Sequence, residues 1–281
     1  MDGRRSSPPS AFTVDVEDWY QSCVDYDAAI TDRVVGNTNR ILAVLDDFGV
    51  KATFFVQGRV AETFPALVAD LVREGHEVQS HGYSHRPLFA MNHRQLRDEL
   101  ERARFTVEDA AGCPVKAFRA QDFSIVRQNL WALETLAEVG FEIDSSIFPM
   151  RSKRYGIEGW SLAPHVVDLA NGASLLEVPV AIWSVGRWRI PVAGGGYFRV
   201  LPHAVVERGL RNVAAHRPAV IYCHPYEFND NELDDYNGSI PRSLRLTQGM
   251  GRRGFVSRIR KLLSNLPFDR FDVTLKSWGV T

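Results

Sequence analysis

Short apolar runs alternate with longer segments of helical periodicity along this chain, and that alternation is the feature that most restricts its fold. Such alternation predicts parallel strands joined by helical crossovers. Apolar runs predict strands at Phe12–Val16, Thr53–Val56, Glu77–Ser80, Ala117–Ala120, Phe141–Asp144, Leu175–Ile182 and Ala219–Tyr222. Helical periodicity predicts helices at Gly36–Phe48, Pro65–Glu74, Arg94–Ala111, Gln128–Val139, Pro202–His216 and Gly254–Leu266.

This pattern predicts an α/β protein, specifically a distorted (β/α)7 barrel, with an open doubly wound sheet as the alternative. We expect a disordered tail at residues 1–10 and one barrel domain at residues 11–281, with residues 225–281 as a C-terminal extension packed on the barrel. The glycine-rich run at residues 194–198 and the polar segment 229–251 are expected to be a loop and a surface excursion. No phosphate-binding glycine motif follows the first strand, which disfavours nucleotide binding.

The bulk composition excludes several classes of partner. The 281 residues carry a formal net charge of −1, so no overall electrostatic attraction to nucleic acid is expected. No apolar run reaches the roughly 18 residues that a membrane span requires, and the first residues lack the apolar stretch of a secretion signal. We therefore expect a cytoplasmic protein with no integral membrane segment, or a periplasmic one if a signal peptide has been removed.

Reactive polar side chains follow five of the predicted strands. Because the carboxyl ends of parallel barrel strands share one rim, these side chains are expected to lie close together. Polar groups are costly beside an apolar core unless they are partnered, so this convergence predicts a catalytic site. The side chains, in strand order, are Asp15, Glu17 and Asp18, then Ser80, His81 and His85, then Arg119, Asp144 and His224.

The histidines of the SHGYSH segment point to a metal site when they are combined with the acids of the first strand. His81 and His85 with one carboxylate form a ligand set that leaves coordination positions open for water. Asp15 and Glu17 are two residues apart on an extended segment, so their side chains share one face. One carboxylate would bind the metal and the other would remain free as a base, while Asp18 joins them only if the chain has already turned.

The remaining candidates have a structural and a functional interpretation each. Arg119 could form an ion pair on the rim or hold a catalytic carboxylate ionised, and Asp144 could cap a turn. The peptide N–H of the Gly82–Tyr83 turn could stabilise an oxyanion. Three aromatic side chains are candidates for contact with a sugar, namely Tyr83, Tyr197 and Trp183.

Five segments resemble, in order and spacing, the motifs of the polysaccharide deacetylases, carbohydrate esterase family four: TVDVEDW, SHGYSH, FRAQDFS, FEIDSSIFP and IYCHP. The resemblance covers roughly residues 12–225, and the PVAGGGYF segment and the tail resemble a subgroup tied to bacterial exopolysaccharide loci. It implies a (β/α)7 barrel that hydrolyses acetamido groups of an N-acetylhexosamine glycan and releases acetate. It also implies a divalent metal, with zinc expected first and cobalt, nickel or manganese as alternatives.

The resemblance also implies individual roles. Asp15 matches the catalytic base, Arg119 the arginine that orients it, Asp144 the acid that tunes the histidine, and His224 the general acid. His81 and His85 match the metal ligands, and Glu17 or Asp18 would supply the metal carboxylate. The chain departs from the family pattern at Val16, which separates two otherwise adjacent acids, and at Gln121, where a proline is usual.

Two further functions remain compatible with the same residues. A related hydrolase of cyclic imides or ureides, similar to allantoinase, would use the same barrel. A non-catalytic glycan-binding protein would keep the cleft without the chemistry. The complete histidine pair argues against a metal-free hydrolase, and retention of both Arg119 and His224 argues against a binding protein.

Overall fold

The computed structural model describes residues 8–152, 155–236 and 240–280. The strands are β1 Ser10–Val16, β2 Thr53–Val56, β3 Glu77–Ser80, β4 Ala117–Phe118, β5 Ile143–Asp144, β6 His165–Asp168, β7 Ser174–Glu177, β8 Ile182–Val185, β9 Trp188–Pro191, β10 Val220–Cys223 and β11 Phe268–Asp269. The helices are α1 Trp19–Cys23, α2 Arg33–Asp46, α3 Gly58–Thr63, α4 Pro65–Arg73, α5 His93–Ala111, α6 Ala132–Val139, α7 Gly195–Val200, α8 His203–Ala214, α9 Arg242–Gly249, α10 Phe255–Asn265 and α11 Phe271–Ser277.

Parallel strands form the wall of the barrel in the order β10-β1-β2-β3-β4-β5-β7, which confirms the predicted fold class. After β7 the chain continues beside β10, where the Ala181 N–H donates to the Val220 carbonyl over 2.8 Å. This bond brings the last strand back to the far edge of the sheet and closes the barrel irregularly. β6 adds to the outer edge of β7 in antiparallel orientation, and β11 pairs with the start of β1.

The barrel strands are largely buried on both faces because helices cover their outer side. Every residue of β1 is buried, and adjacent strands contribute fully buried aromatic side chains at Phe12, Phe54, Phe55 and Phe118. Three helices end shortly before a glycine with positive φ, as the sequence predicts. These glycines are Gly49, Gly75 and Gly140, with φ of 62°, 84° and 95°.

The structure corrects the sequence-based elements between residues 175 and 198. The predicted strand Leu175–Ile182 is divided into β7 and β8, and Pro179, which cannot donate to a ladder, lies at the break. β8 continues into a separate hairpin with β9 that sequence periodicity did not predict. The glycine run predicted as a loop begins helix α7.

The chain beyond β10 packs against the barrel. In the segment expected to be a surface excursion, Leu233 and Ile240 are buried against Trp19 and Tyr226. Further on, the Phe271 N–H donates to Thr53 Oγ1 over 2.7 Å, which attaches α11 to β2. Residues 1–7 of the predicted tail lie outside the described residues. Across the described ranges, no helix is long and apolar enough to cross a membrane.

Candidate active site

Three buried side chains meet where β1 and β3 end. Glu17 follows β1, and His81 and His85 follow β3, with potential ligand atoms that all lie within 4.8 Å of one another. The Glu17 Oε2 atom lies 3.3 Å from His81 Nε2 and also contacts His85 Nε2. A carboxylate oxygen and two imidazole nitrogens gathered in this way could hold a divalent metal ion.

Neighbouring groups fix the orientation of these three side chains. His81 Nδ1 lies 2.8 Å from the carbonyl oxygen of Arg119, which can only accept, so Nδ1 carries a proton and Nε2 is the atom that faces Glu17. The Tyr226 hydroxyl donates to Glu17 Oε1 over 3.1 Å. Glu17 Oε2 and the Nε2 atoms of both histidines thus converge on one point, and this donor set fits a metal cation.

The charges of this cluster reinforce one another. Burial favours the neutral form of Glu17, but the adjacent His85, His81 and His224 hold its pKa well below the ordinary value. Burial likewise disfavours the charged form of His85, yet the Glu17 carboxylate raises the pKa of that imidazole. Glu17 and His85 consequently form a buried pair of opposite charges, and a bound metal cation would take the place of the imidazole proton.

Asp15 lies beside this cluster and is held by a buried arginine. Arg119 Nη1 donates to Asp15 Oδ1 over 2.8 Å and to Thr13 Oγ1 over 2.6 Å, while Nη2 donates to Ser145 Oγ over 3.1 Å. The Arg119 side chain is completely buried, and its guanidinium lies 4.1 Å from the centre of the Phe55 ring. Asp15 is thus held in one orientation, as a general base requires.

Asp18 has a structural position. Its Oδ1 accepts from the peptide N–H groups of Tyr20 and Gln21 over 3.0 and 3.3 Å, which caps α1. Its Oδ2 accepts from the Thr31 N–H over 2.9 Å. Of the two acids that the sequence left open, Glu17 is the one beside the histidines.

His224 follows β10 and is surrounded by acids. Its Nδ1 lies 3.1 Å from Glu227 Oε2, its Nε2 lies 3.9 Å from Glu17 Oε1, and its ring stacks on Tyr226 with centroids 4.9 Å apart. Burial opposes protonation, but the Glu227 and Glu17 carboxylates raise the pKa of His224 to about 9. At neutral pH the imidazole is therefore cationic and able to give up a proton.

The expectation that Asp144 tunes this histidine is wrong. Asp144 lies in register with Glu177 on β7 and receives a hydrogen bond from the Ser146 hydroxyl. The carboxylate beside His224 is Glu227, which sequence reasoning missed. Its only sequence signal is its place three residues after the histidine in HPYE, a spacing that lets an acid reach back across one turn.

Of the three aromatic candidates, the structure places only Tyr197 in the wall of the site. Trp183 lies on β8, packs against Gly209 of α8 and is not among the residues that line the cavity. The Tyr83 hydroxyl donates to Glu62 over 2.6 Å. Its peptide N–H donates to a Glu99 oxygen over 3.0 Å and is therefore not free to bind an oxyanion.

Six of the predicted side chains line one cavity of about 350 Å³. Its lining combines charged and imidazole side chains at the strand ends with aromatic rings. Such a mixture suits a sugar ring, which presents hydroxyl groups at its edge and C–H groups on its faces. The lining includes Asp15, Glu17, His81, His85 and His224 together with Tyr26, Phe123, Tyr155, Tyr197 and Tyr222.

Comparison with known families agrees with this arrangement. Residues 22–138 match the model of the polysaccharide deacetylase family. This part of the chain belongs to the polysaccharide deacetylase family. Residues 145–276 match a second model, described as a domain of unknown function, DUF3473.

Curated relatives resemble this chain over only part of their length. A peptidoglycan deacetylase-like protein of Gibberella zeae is 32% identical over 158 residues, which cover 55% of this chain and 45% of that protein. The chain thus spans less than half the length of the first curated relatives it matches.

Two solved structures share the whole fold with this chain. One is a Mycobacterium smegmatis protein assigned as a polysaccharide deacetylase, with 20% identity, a TM-score of 0.63 and coverage of 99% of this chain and 93% of that one. The other is Puue allantoinase, with 14% identity, a TM-score of 0.62 and coverage of 100% and 93%. Since the two scores are nearly equal, the fold alone does not separate these activities.

Proposed function

We propose that this chain is a metal-dependent N-deacetylase that removes acetyl groups from N-acetylhexosamine units of a polysaccharide or oligosaccharide. The observation that carries the proposal is one cavity that contains a metal-binding trio, an arginine-held carboxylate and a cationic imidazole. Amide hydrolysis needs these three elements together: an electrophile for the carbonyl, a base for the water and an acid for the amine. The peptidoglycan deacetylase-like relative supports an acetylated glycan as the substrate class.

Glu17, His81 and His85 would hold the divalent ion, for which zinc is the first candidate. Such an ion, when bound, polarises the acetyl carbonyl and lowers the pKa of a water molecule. Asp15 takes the proton from the attacking water. Arg119 fixes the orientation of that carboxylate through its contact with Oδ1.

His224 acts at the other end of the reaction. When the C–N bond breaks, the electron pair goes to nitrogen, and an unprotonated amide anion is a very poor leaving group. The Nε2 proton of His224 moves to that nitrogen, so acetate and a free amine are released. The Glu227 contact at Nδ1 leaves Nε2 as the atom that donates.

The test is acetate release by the metal-loaded protein. Protein stripped with chelator is reloaded with zinc, cobalt, nickel or manganese and incubated with N-acetylglucosamine oligomers, peptidoglycan fragments and allantoin. We expect metal-dependent acetate release from an acetylated glycan. Opening of the allantoin ring would favour the related ureide hydrolase, and glycan binding without acetate release under any metal would favour a binding protein.

The ligand assignment is tested separately. His81→Ala is expected to lose bound metal and acetate release together, because a trio reduced to two ligands holds an ion far more weakly. His216→Ala is the matched control, since His216 contacts the carbonyl of Asn212 on the protein surface. Elemental analysis showing full metal occupancy in His81→Ala would refute the assignment.

A further inference from the structure

Glu227 makes three contacts with its two buried oxygens. Oε2 lies 3.1 Å from His224 Nδ1 and accepts from the His224 peptide N–H over 3.0 Å. Oε1 lies 3.2 Å from Arg199 Nε. The Glu227 side chain is only 2% exposed, so its charge is balanced entirely by these neighbours and not by water. The carboxylate therefore fixes both the backbone and the ring of His224.

Arg199 is itself held in place. It projects from α7, its side chain is 8% exposed, and its Nη1 donates to the carbonyl of Gln248 at the end of α9. Next to it, Arg252 donates to the carbonyl of Tyr226, the residue that stacks on His224. The carboxylate beside His224 is thus anchored from segments that come before and after β10.

The glycine run gives an independent indication that this carboxylate has a required place. A Cβ atom at Gly195 would lie 1.8 Å from Glu227 Oε2, closer than any side chain allows. A Cβ at Gly194 would lie 2.5 Å from the Tyr222 hydroxyl. Neither glycine has a positive φ, so close approach of the backbone, and not turn geometry, requires glycine here.

From this arrangement we propose that Glu227, held by Arg199 and given room by Gly195, is the positioning residue for His224. It takes the place that the family resemblance gave to Asp144. Its supports, from Gly195 to Gln248, lie within residues 145–276, so part of the region of unknown function serves to complete the acid side of the site. The inference rests on the proposed deacetylase function, because only amide cleavage needs a proton donor for the leaving amine.

Substrates with different leaving groups distinguish a positioning role of Glu227 from a merely structural one. Cleavage of an acetamide requires protonation of the departing nitrogen, whereas 4-nitrophenolate leaves an acetate ester without a proton. We therefore measure, on zinc-loaded protein, kcat and KM for acetate release from N-acetylglucosamine oligomers and the rate of 4-nitrophenyl acetate hydrolysis.

Glu227→Ala is expected to lower kcat on the acetamide about 10- to 100-fold, the usual effect of losing a group that orients an active imidazole. KM and the ester rate are expected to stay near those of the unaltered protein. Glu227→Gln retains an acceptor for Nδ1 and should show a smaller loss. Gly195→Ala should reproduce the Glu227→Ala result, and Gly36→Ala, where a Cβ meets nothing within 4 Å, is its matched control.

Each outcome has one meaning. An unaltered protein that cleaves the ester but no acetamide refutes the proposed function itself. An active protein in which Glu227→Ala loses both activities equally, or neither, overturns the positioning role. Asp144→Asn provides the contrast: its ratio of amide to ester rates should match that of the unaltered protein, and a selective loss of amide cleavage there would return the role to Asp144.

Discussion

Two glutamates of this barrel, Glu227 and Glu177, are both buried and yet differ in charge. Burial raises the pKa of Glu177 well above its ordinary value, and the neighbouring Asp144 carboxylate raises it further. Burial acts on Glu227 in the same direction, but its contact with His224 and the charge of Arg199 bring its pKa below the ordinary value. Burial alone therefore does not set ionisation; the partner across the contact does.

The same difference distinguishes the strands that supply the proposed catalytic groups from the strands whose acids lie outside the cavity. On one side, around β1 and β10, Asp15, Glu17 and Glu227 each contact an arginine or a histidine and line the cavity. On the other side, Asp144 of β5 and Glu177 of β7 lie in register, and their carboxyl groups are hydrogen-bonded to each other. Near β10, the cationic neighbours of Glu227 favour its charged form. Between β5 and β7, burial and the adjacent Asp144 favour the neutral form of Glu177.

The largest effect on turnover is expected for Asp15, the proposed general base. Asp15→Asn keeps the shape of the contact with Arg119 but cannot accept a proton, so turnover should fall about 100-fold or more, in line with loss of a general base. Metal content should remain unchanged because Asp15 is not among the ligand trio. Acetate release and elemental analysis on the same preparation check both parts, and undiminished turnover would remove Asp15 from the mechanism.

Removal of the cation from the same pair should destabilise the fold. Arg119→Met leaves a buried carboxylate without its partner, which typically costs about 3–5 kcal/mol of the free energy of unfolding. The double variant Arg119→Met with Asp15→Asn should regain part of this loss, because the unpartnered carboxylate is also removed. Chemical denaturation measures both, and equal stabilities for the single and double variants would show that the loss does not come from the unpartnered Asp15.

The sequence predicts the regular part of this molecule well, for a physical reason. β2 and β3 have the bounds that the sequence predicts, and almost every residue of both is buried, as in strands covered on both faces. The rule that barrel strands end at one rim also places Glu17 beside His81 and His85 from their positions along the chain alone. These features depend on the local residue pattern and on the order of strands and helices, and both can be inferred from the sequence.

The errors arise where a side chain's partner lies far away in sequence. Asp144 follows a strand as a catalytic acid would, but its neighbour Glu177, 33 positions later, decides its surroundings. Gly195 indicates a loop by its residue type, and only the approach of Glu227 shows why a helix begins with glycine there. The partner of a side chain on another strand and the space around a backbone atom both depend on tertiary packing. Neither can be inferred from the local pattern of a single sequence.

Glu227→Gln should reduce stability in a way that depends on pH. A carboxyl group whose pKa is lower in the folded protein stabilises the fold above its unfolded pKa, about 4.3 for glutamate, and that contribution is lost as the pH falls through the folded pKa. The variant should therefore melt below the unaltered protein at pH 7, and the two should converge as the pH falls below 4. A gap in melting temperature that stays constant with pH would attribute the effect to packing and not to charge.

Glu177→Gln should show the smallest change and the opposite sign. A carboxyl group whose pKa is raised by folding favours the fold fully below its unfolded pKa, and this contribution is lost as the pH rises through the folded value. The amide never ionises, keeps an acceptor for the Ile147 N–H and can donate to Asp144. The variant should match the unaltered protein near pH 4 and melt about 2–4 °C above it at pH 8, which corresponds to about 1 kcal/mol in a chain of this size. If Glu177→Gln instead lost stability as the pH rose, Glu177 would carry a balanced charge like that of Glu227, and the contrast between the two glutamates would fail.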